Sequence, residues 1–182
     1  MRMDLRSGLK ANEIINYYPE DELASLIYEY GEEPRSRQIA RAIVRARPVT
    51  STKNLANLVT RVIQKTKRRR IHPATQTFQA FRIFVNDELN VLEKFLKSAI
   101  KLLKPGGRLV VISFHSLEDR IVKNTLKAMT GACICPPKLP SCLCGQVKMI
   151  KLLTRKPAVA QEIEKNKNPR SRSAKLRVAQ RL

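Results

Sequence analysis

Lys104-Pro-Gly-Gly-Arg-Leu-Val-Val-Ile-Ser-Phe-His-Ser-Leu-Glu-Asp-Arg120 compresses a helix stop, a strand and a helix start into one short stretch. Pro105 cannot continue a helix, and Gly106 and Gly107 supply a turn with free φ. Leu109 to Phe114 is then a run of mostly apolar, β-branched residues. It predicts a strand buried on both faces, as in a parallel sheet covered by helices. Ser116 is expected to cap the next helix, with Glu118 and Asp119 in its first turn, where the helix dipole favours acids. His115 therefore falls at the carboxyl end of the strand, the edge at which open α/β sheets take their ligands. His115, Glu118 and Asp119 are the titratable candidates there. Two plainer roles compete: a loop hydrogen bond for His115, and dipole complementation for the two acids.

Upstream of this stretch the pattern is helical. Phe78, Phe81, Val85, Leu89, Leu92, Leu96 and Leu103 trace one stripe between Ala74 and Leu103. As a single helix it would run ~45 Å, a length that invites a kink or two segments. Phe78, Phe81 and Phe84 are expected in a core rather than stacked on bases. Before them, three short helices are predicted. One opens at Pro19 and carries Leu23, Leu26 and Ile27; the next carries Ile39 and Ile43; the third, capped by Thr52, carries Leu55, Val59 and Ile63. The first dozen residues read as an extended lead-in. Residues 1–72 thus form a helical subdomain and residues 73–182 the sheet-bearing part.

Downstream, Leu117 to Met129 reads as an amphipathic helix with Ile121, Val122 and Leu126 on one side. Cys133-Ile-Cys135 and Cys142-Leu-Cys144 follow, with prolines between them. Four thiolates so spaced can surround one zinc ion, or the segment is a loop of unligated thiols. The final elements are strands at 147–153 and 173–181, expected to pair antiparallel. In the last, Ala174, Leu176, Val178 and Leu182 alternate with Ser173, Lys175, Arg177 and Arg181, which predicts a half-buried strand with a basic outer face.

The charge narrows the partner. With 36 Lys+Arg against 15 Asp+Glu, the net charge is +21, well beyond what solubility needs. Such an excess points to a polyanion, and nucleic acid is the most economical one. Lys65, Lys67, Arg68, Arg69 and Arg70 form the densest cluster and are expected to touch phosphate. No stretch is apolar enough for a membrane span or a secretory signal, so a cytoplasmic protein with reduced cysteines is expected. The oligomeric state, monomer or dimer, stays open.

Several stretches together resemble a known family. They are His72-Pro-Ala-Thr-Gln-Thr-Phe-Gln-Ala-Phe-Arg-Ile, Val85-Asn-Asp-Glu-Leu, Gly106-Gly-Arg-Leu-Val-Val-Ile-Ser-Phe-His-Ser-Leu-Glu-Asp-Arg and Asn168-Pro-Arg-Ser-Arg-Ser-Ala-Lys-Leu-Arg. Each is similar to a signature of the bacterial ribosomal RNA small-subunit methyltransferase H family, and Met1-Arg-Met-Asp4 resembles a mid-chain motif of it. The resemblance implies methylation of a cytosine N4 in 16S rRNA with S-adenosylmethionine as cofactor, on the small ribosomal subunit. It also implies that residues 1–72 recognise substrate, and that His72, Arg82, Arg170 and Arg172 join the basic cluster in binding RNA.

The departures set further expectations. The family's opening strands and glycine-rich cofactor loop have no counterpart here, so no residue of this chain is assigned to the cofactor. Gln76 stands where the family usually has Arg, Phe81 where it usually has Leu, and Pro34-Arg-Ser replaces a more helix-friendly segment. The expected fold is α/β: an incomplete Rossmann-like methyltransferase sheet made of C-terminal strands, with an inserted helical subdomain. The competing function is a non-catalytic, basic rRNA-binding protein.

Overall fold

The computed structural model describes residues 1–3, 8–63, 72–131 and 147–182. These fall into two compact units, Met1–Glu88 and Leu89–Leu182. The basic cluster at 65–70 and the four cysteines lie outside the described residues.

The first unit is helical: α1 (Ala11–Tyr17), α2 (Glu20–Gly31), α3 (Ser36–Arg45), α4 (Thr52–Ile63) and α5 (Thr75–Asn86). Pro19 precedes α2, and Glu20, Asp21 and Glu22 fill its first turn, where their charge complements the exposed N–H groups. Leu23, Ile27, Ile39, Ile43, Leu55, Val59 and Phe81 meet in one core. Phe81 is fully buried and Phe78 packs against the same core, so these aromatics are structural. Phe84 meets the Tyr18 ring edge-on at 6.2 Å. The unit extends past residue 72 because α5 packs on α2. The described residues before Ala11 carry no helix or strand, as the expected lead-in has it, but α1 then follows as an unforeseen helix whose Ile14 and Ile15 are buried. Two turns give too short a period to stand out in sequence.

The long apolar stripe is divided between α5 and α6 (Glu88–Leu102). Asp87 breaks it, with φ +49° in the left-handed region that ends helices. Gln76, on α5, donates from Nε2 to the Glu32 carbonyl (3.1 Å) just past α2.

The second unit adds β1 (Arg108–Ser113), α7 (Ser116–Ala128), β2 (Ile150–Leu152), β3 (Ala158–Val159), α8 (Glu162–Lys167), a 3-10 turn (Pro169–Ser173) and β4 (Lys175–Arg181). The sheet order is β1-β4-β2, with β3 also on β4, and every pairing is antiparallel. The antiparallel pairing expected for the last two strands is present. The chain is therefore α/β with a small antiparallel sheet.

Two expectations about this sheet are overturned. β1 is not buried on both faces. Leu109 and Val111 pack on the core of Leu96, Ile100, Val122, Leu126, Ile150 and Ala179, while Val110, Ile112 and Phe114 are 55%, 53% and 56% exposed. The reason is the partner: β1 pairs with β4 rather than with parallel neighbours, and one helical layer covers one face. The basic outer face of the last strand is also reversed. Val178 sits opposite Val110, and Leu176 opposite Ile112, on the more open side. Arg177 is only 7% exposed, and Arg181 donates through Nη1 to the Ile100 carbonyl (2.9 Å) and to that of Lys101, closing the last turn of α6. Alternation alone cannot say which face is covered; here the cations turn inward because a carboxylate and helix carbonyls wait there.

Gly31 makes the closest backbone approach in the helical unit. A Cβ there would lie 2.7 Å from the Gln76 carbonyl oxygen and 3.2 Å from the Ala80 Cβ. Alanine would gain up to about 1 kcal/mol of helix propensity but must push two helix backbones apart, at about 1–3 kcal/mol. Gly31→Ala is expected to lower the urea midpoint of the first unit; an unchanged or higher midpoint would show that α2 and α5 can slide apart freely.

Candidate functional site

The turn from β1 into α7 brings the three titratable candidates within one helical turn. His115, not Ser116, is the N-cap. Its Nδ1 accepts the Glu118 backbone N–H (3.3 Å), and the Glu118 carboxylate reaches back to accept Phe114 N–H (2.8 Å) and His115 N–H (3.2 Å) at Oε2. This is a capping box with imidazole in the place usually held by a hydroxyl or carboxylate. The signal was present as His115-Ser-Leu-Glu118 but lies outside the usual Ser/Thr/Asp/Asn choice for a cap.

The cap constrains what the imidazole can do. A ring whose Nδ1 accepts a backbone N–H carries its proton on Nε2 when neutral. That Nε2 lies 3.2 Å from Glu118 Oε1 but off the line a hydrogen bond requires, so it is buried without a bonded partner; the ring is 10% exposed. The lone pair that could accept a substrate proton is thus engaged by the backbone. Glu118 is similarly committed. Burial pushes its carboxyl up, but the adjacent His115 ring and the bonds from the Phe114 and His115 N–H groups together outweigh burial and hold it below the usual range.

Asp119 faces the other way, onto β4. Its carboxylate takes a fork from Arg177, Nε to Oδ1 at 2.6 Å and Nη2 to Oδ2 at 3.1 Å. Lys175 Nζ stands 3.4 Å from Oδ2. The Arg177 hydrogen bonds hold Asp119 below the usual range, against burial and with help from the charges of Arg177 and Lys175. Three adjacent candidates are therefore brought to one turn, with every carboxylate bonded locally.

The RNA candidates are dispersed. Arg170 and Arg172 are exposed on the 3-10 turn, which Asn168 pins by accepting Arg170 N–H at Oδ1 (3.2 Å) and Ser171 Oγ–H at its carbonyl (2.8 Å). Arg82 is tied to Glu88 by a two-pronged ion pair, Nε to Oε1 at 2.9 Å and Nη2 to Oε2 at 3.0 Å. His72 is exposed, and its Nδ1 accepts Ala74 N–H (3.2 Å) at the start of α5. Residues 89–182 hold 20 Lys and Arg but only Glu93, Glu118, Asp119, Glu162 and Glu164 as acids. No helix among the described residues is long and apolar enough to cross a membrane.

Glu118 offers no fit for a nucleoside cofactor, nor does the turn around it. The α7 N-terminus already holds its own carboxylate, and the glycine pair Gly106-Gly107 precedes β1 instead of following it. The described residues of this turn do not form a cradle for S-adenosylmethionine.

Asp119→Ala would strand Arg177 in a covered site and is expected to cost about 3–5 kcal/mol at neutral pH. The carboxyl's folded value is depressed, so its contribution is complete above the unfolded value near 4 and is lost as pH falls through the folded value. The gap between wild type and Asp119→Ala in urea melts should therefore narrow below about pH 4. A gap independent of pH would mean the carboxylate charge contributes nothing.

Comparison with known proteins gives this arrangement a context. The model of the MraW methylase family matches residues 1–182. The chain is 51% identical over 185 residues to a protein of Carboxydothermus hydrogenoformans, 53% over 186 to one of Pelobacter propionicus, and 55% over 181 to one of Acidobacterium capsulatum. Each of the three is named ribosomal RNA small subunit methyltransferase H. All of this chain is covered in each match, against 60%, 59% and 56% of the relatives, so it spans well under two thirds of their length. This chain belongs to the MraW methylase family.

Proposed function

We propose that this chain is the RNA-facing part of an S-adenosylmethionine-dependent methyltransferase that modifies a cytosine N4 in 16S rRNA of the small ribosomal subunit. The observation that carries the reading is the family match over residues 1–182, joined to relatives named for the small-subunit RNA. The relatives are longer than this chain, and nothing in the β1–α7 turn fits the cofactor. The reading therefore assigns the cofactor to sequence beyond these residues.

The open face of the sheet supports the same division. Val110, Ile112 and Phe114 are more than half exposed and lie beside Leu176 and Val178. A contiguous aliphatic face of this kind is costly in water and suits a second layer. In this reading the remainder of the methyltransferase supplies that layer and turns the small sheet into a Rossmann-like one.

An exocyclic cytosine amine is a poor nucleophile, because its lone pair is delocalised into the ring. It must be held in line and must lose a proton. His115, Glu118 and Asp119 are positioning residues in this proposal: the first two fix the strand-end turn, and Asp119 locks α7 to β4. Arg170 and Arg172, held on a rigid turn, contact phosphate, and the 65–70 cluster adds to them. The competing reading, a purely RNA-binding relative, would leave the same basic surface without transfer.

Two measurements test the proposal. Calorimetric titration of S-adenosylmethionine into the chain should give no binding, and the chain should not methylate small subunits. The missing part of a relative, added as a separate polypeptide, should restore transfer. Robust transfer by the chain alone would overturn the assignment of the cofactor, and failure to restore any transfer would favour the RNA-binding relative.

RNA affinity should fall steeply with salt. Replacing Arg170 and Arg172 with Ala should lower the slope of log K against log salt by about 0.7–0.9 per lost contact. Replacing Lys67, Arg68, Arg69 and Arg70 should lower it by up to about 4 × 0.9. Unchanged slopes would assign these cations to a solvated surface.

A further inference from the structure

We infer that the cavity between α1 and the start of α4 is a pocket for one nucleotide of single-stranded RNA. The inference rests on the RNA-binding part of the reading above and adds a second place at which the strand is gripped. The cavity measures about 520 Å³. Its floor is apolar, formed by Ile15, Val49 and Leu55, all buried. Lys10, Tyr17 and Thr52 are among its exposed lining residues, and among the described residues no acid lines it.

The walls are built before any ligand arrives. The Asn16 amide clamps the Val49 backbone, accepting its N–H at Oδ1 (2.8 Å) and donating from Nδ2 to its carbonyl (3.2 Å). Arg47 donates from Nε to the Ile15 carbonyl (2.9 Å) and from Nη2 to the Tyr18 carbonyl, tying the loop before α4 to the end of α1. The loop and α1 therefore hold their separation rigidly, as a pre-formed site requires.

The chemistry of the lining selects the ligand. Tyr17 is 79% exposed, more than an aromatic ring needs for packing, and offers a face for a base. The first N–H groups of α4 have no partners within the helix; Ser51 Oγ accepts that of Asn54 (3.1 Å), and α4 has no acid in its first turn. With Lys10 also in the lining, these groups favour phosphate. An apolar floor, an exposed aromatic ring and, among the described residues, a lysine with no acid fit a base with its attached phosphate. They do not fit a cationic peptide. A duplex, whose bases are stacked inside, would leave the floor unfilled.

The experiment measures affinity for a short single-stranded RNA, the same RNA with one abasic position, and its duplex. Tyr17→Ala should weaken single-strand binding about 5- to 150-fold, and abasic substitution should weaken wild type more than this variant. Thr52→Asp keeps α4, since an acid at a helix start is favoured, but puts negative charge into the pocket. It should lower affinity and reduce the salt slope by about 0.7, one single-strand phosphate. Tyr17→Phe should bind as wild type. Tyr17→Ala and Thr52→Asp chains that bind single strands as wild type does, with normal melts, would overturn the pocket while leaving the rRNA reading intact. Wild type that binds no RNA at all would overturn both, and equal losses for duplex and single strand would assign the effect to general charge and overturn the pocket.

Discussion

The Asp119–Arg177 pair ties the second unit together. Arg177 lies on β4, the central strand, and Asp119 lies in the first turn of α7, so one bidentate contact fixes helix against sheet. Removing a carboxylate and a guanidinium from water is expensive, and the pair is tolerable because both oxygens and two donors are used. Asp119 also lies in the first turn of its own helix, where the dipole favours an acid, so its position adds to the attraction of Arg177 and Lys175. The consequence reaches the neighbouring residues. With Asp119 drawn onto β4, His115 and Glu118 are left to close the cap, and the β1–α7 turn is held from both sides.

The same pair explains why half of the sheet was legible in the sequence and half was not. Leu109 to Ser113 declared a strand through its β-branched run, and the Gly106-Gly107 turn marked where it began. The alternation in 173–181 was equally plain, but its sign was wrong. Lys175, Arg177 and Arg181 read as an outer face because charges usually seek water. Their partners, an acid on α7 and the terminal carbonyls of α6, are distant in sequence and gave no local sign. Parallel pairing was inferred from composition alone, and composition does not distinguish a strand buried on both faces from one with an aliphatic face left open. At the site, position was legible and role was not. That His115, Glu118 and Asp119 share a strand end followed from spacing, whereas the bonds that commit each of them required coordinates.

The helical unit shows a complementary limit. α2, α3 and α4 were announced by Pro19, by the acids of the first turn and by apolar residues at helical spacing. The break at Asp87 was foreshadowed only by length, since nothing in Phe84-Val-Asn-Asp-Glu88 forbids a continuous helix; the left-handed φ of Asp87 is visible only in the structure. The clamp of Asn16 on Val49 was invisible for a similar reason. A short polar side chain on a short helix looks like surface until the loop it holds is in place.

Charge is distributed by use as well as by number. Among the five acids of residues 89–182, Glu118 and Asp119 are engaged inside the β1–α7–β4 junction, Glu93 pairs with Lys97, and Glu162 pairs with Lys165. Each of these acids cancels a nearby cation, so the positive field of that unit toward a polyanion follows its net excess of Lys and Arg. The inward turn of Arg177 and Arg181 has a second effect. It keeps those two cations away from Val110, Ile112, Leu176 and Val178, while Arg108 and Lys151 stand exposed at the Gln180 end of the same face. Away from that end the face is apolar, and a layer packed over it would remove that surface from water. The sheet thus differs by face: helices and a buried ion pair on one side, and on the other an apolar patch bordered by cations.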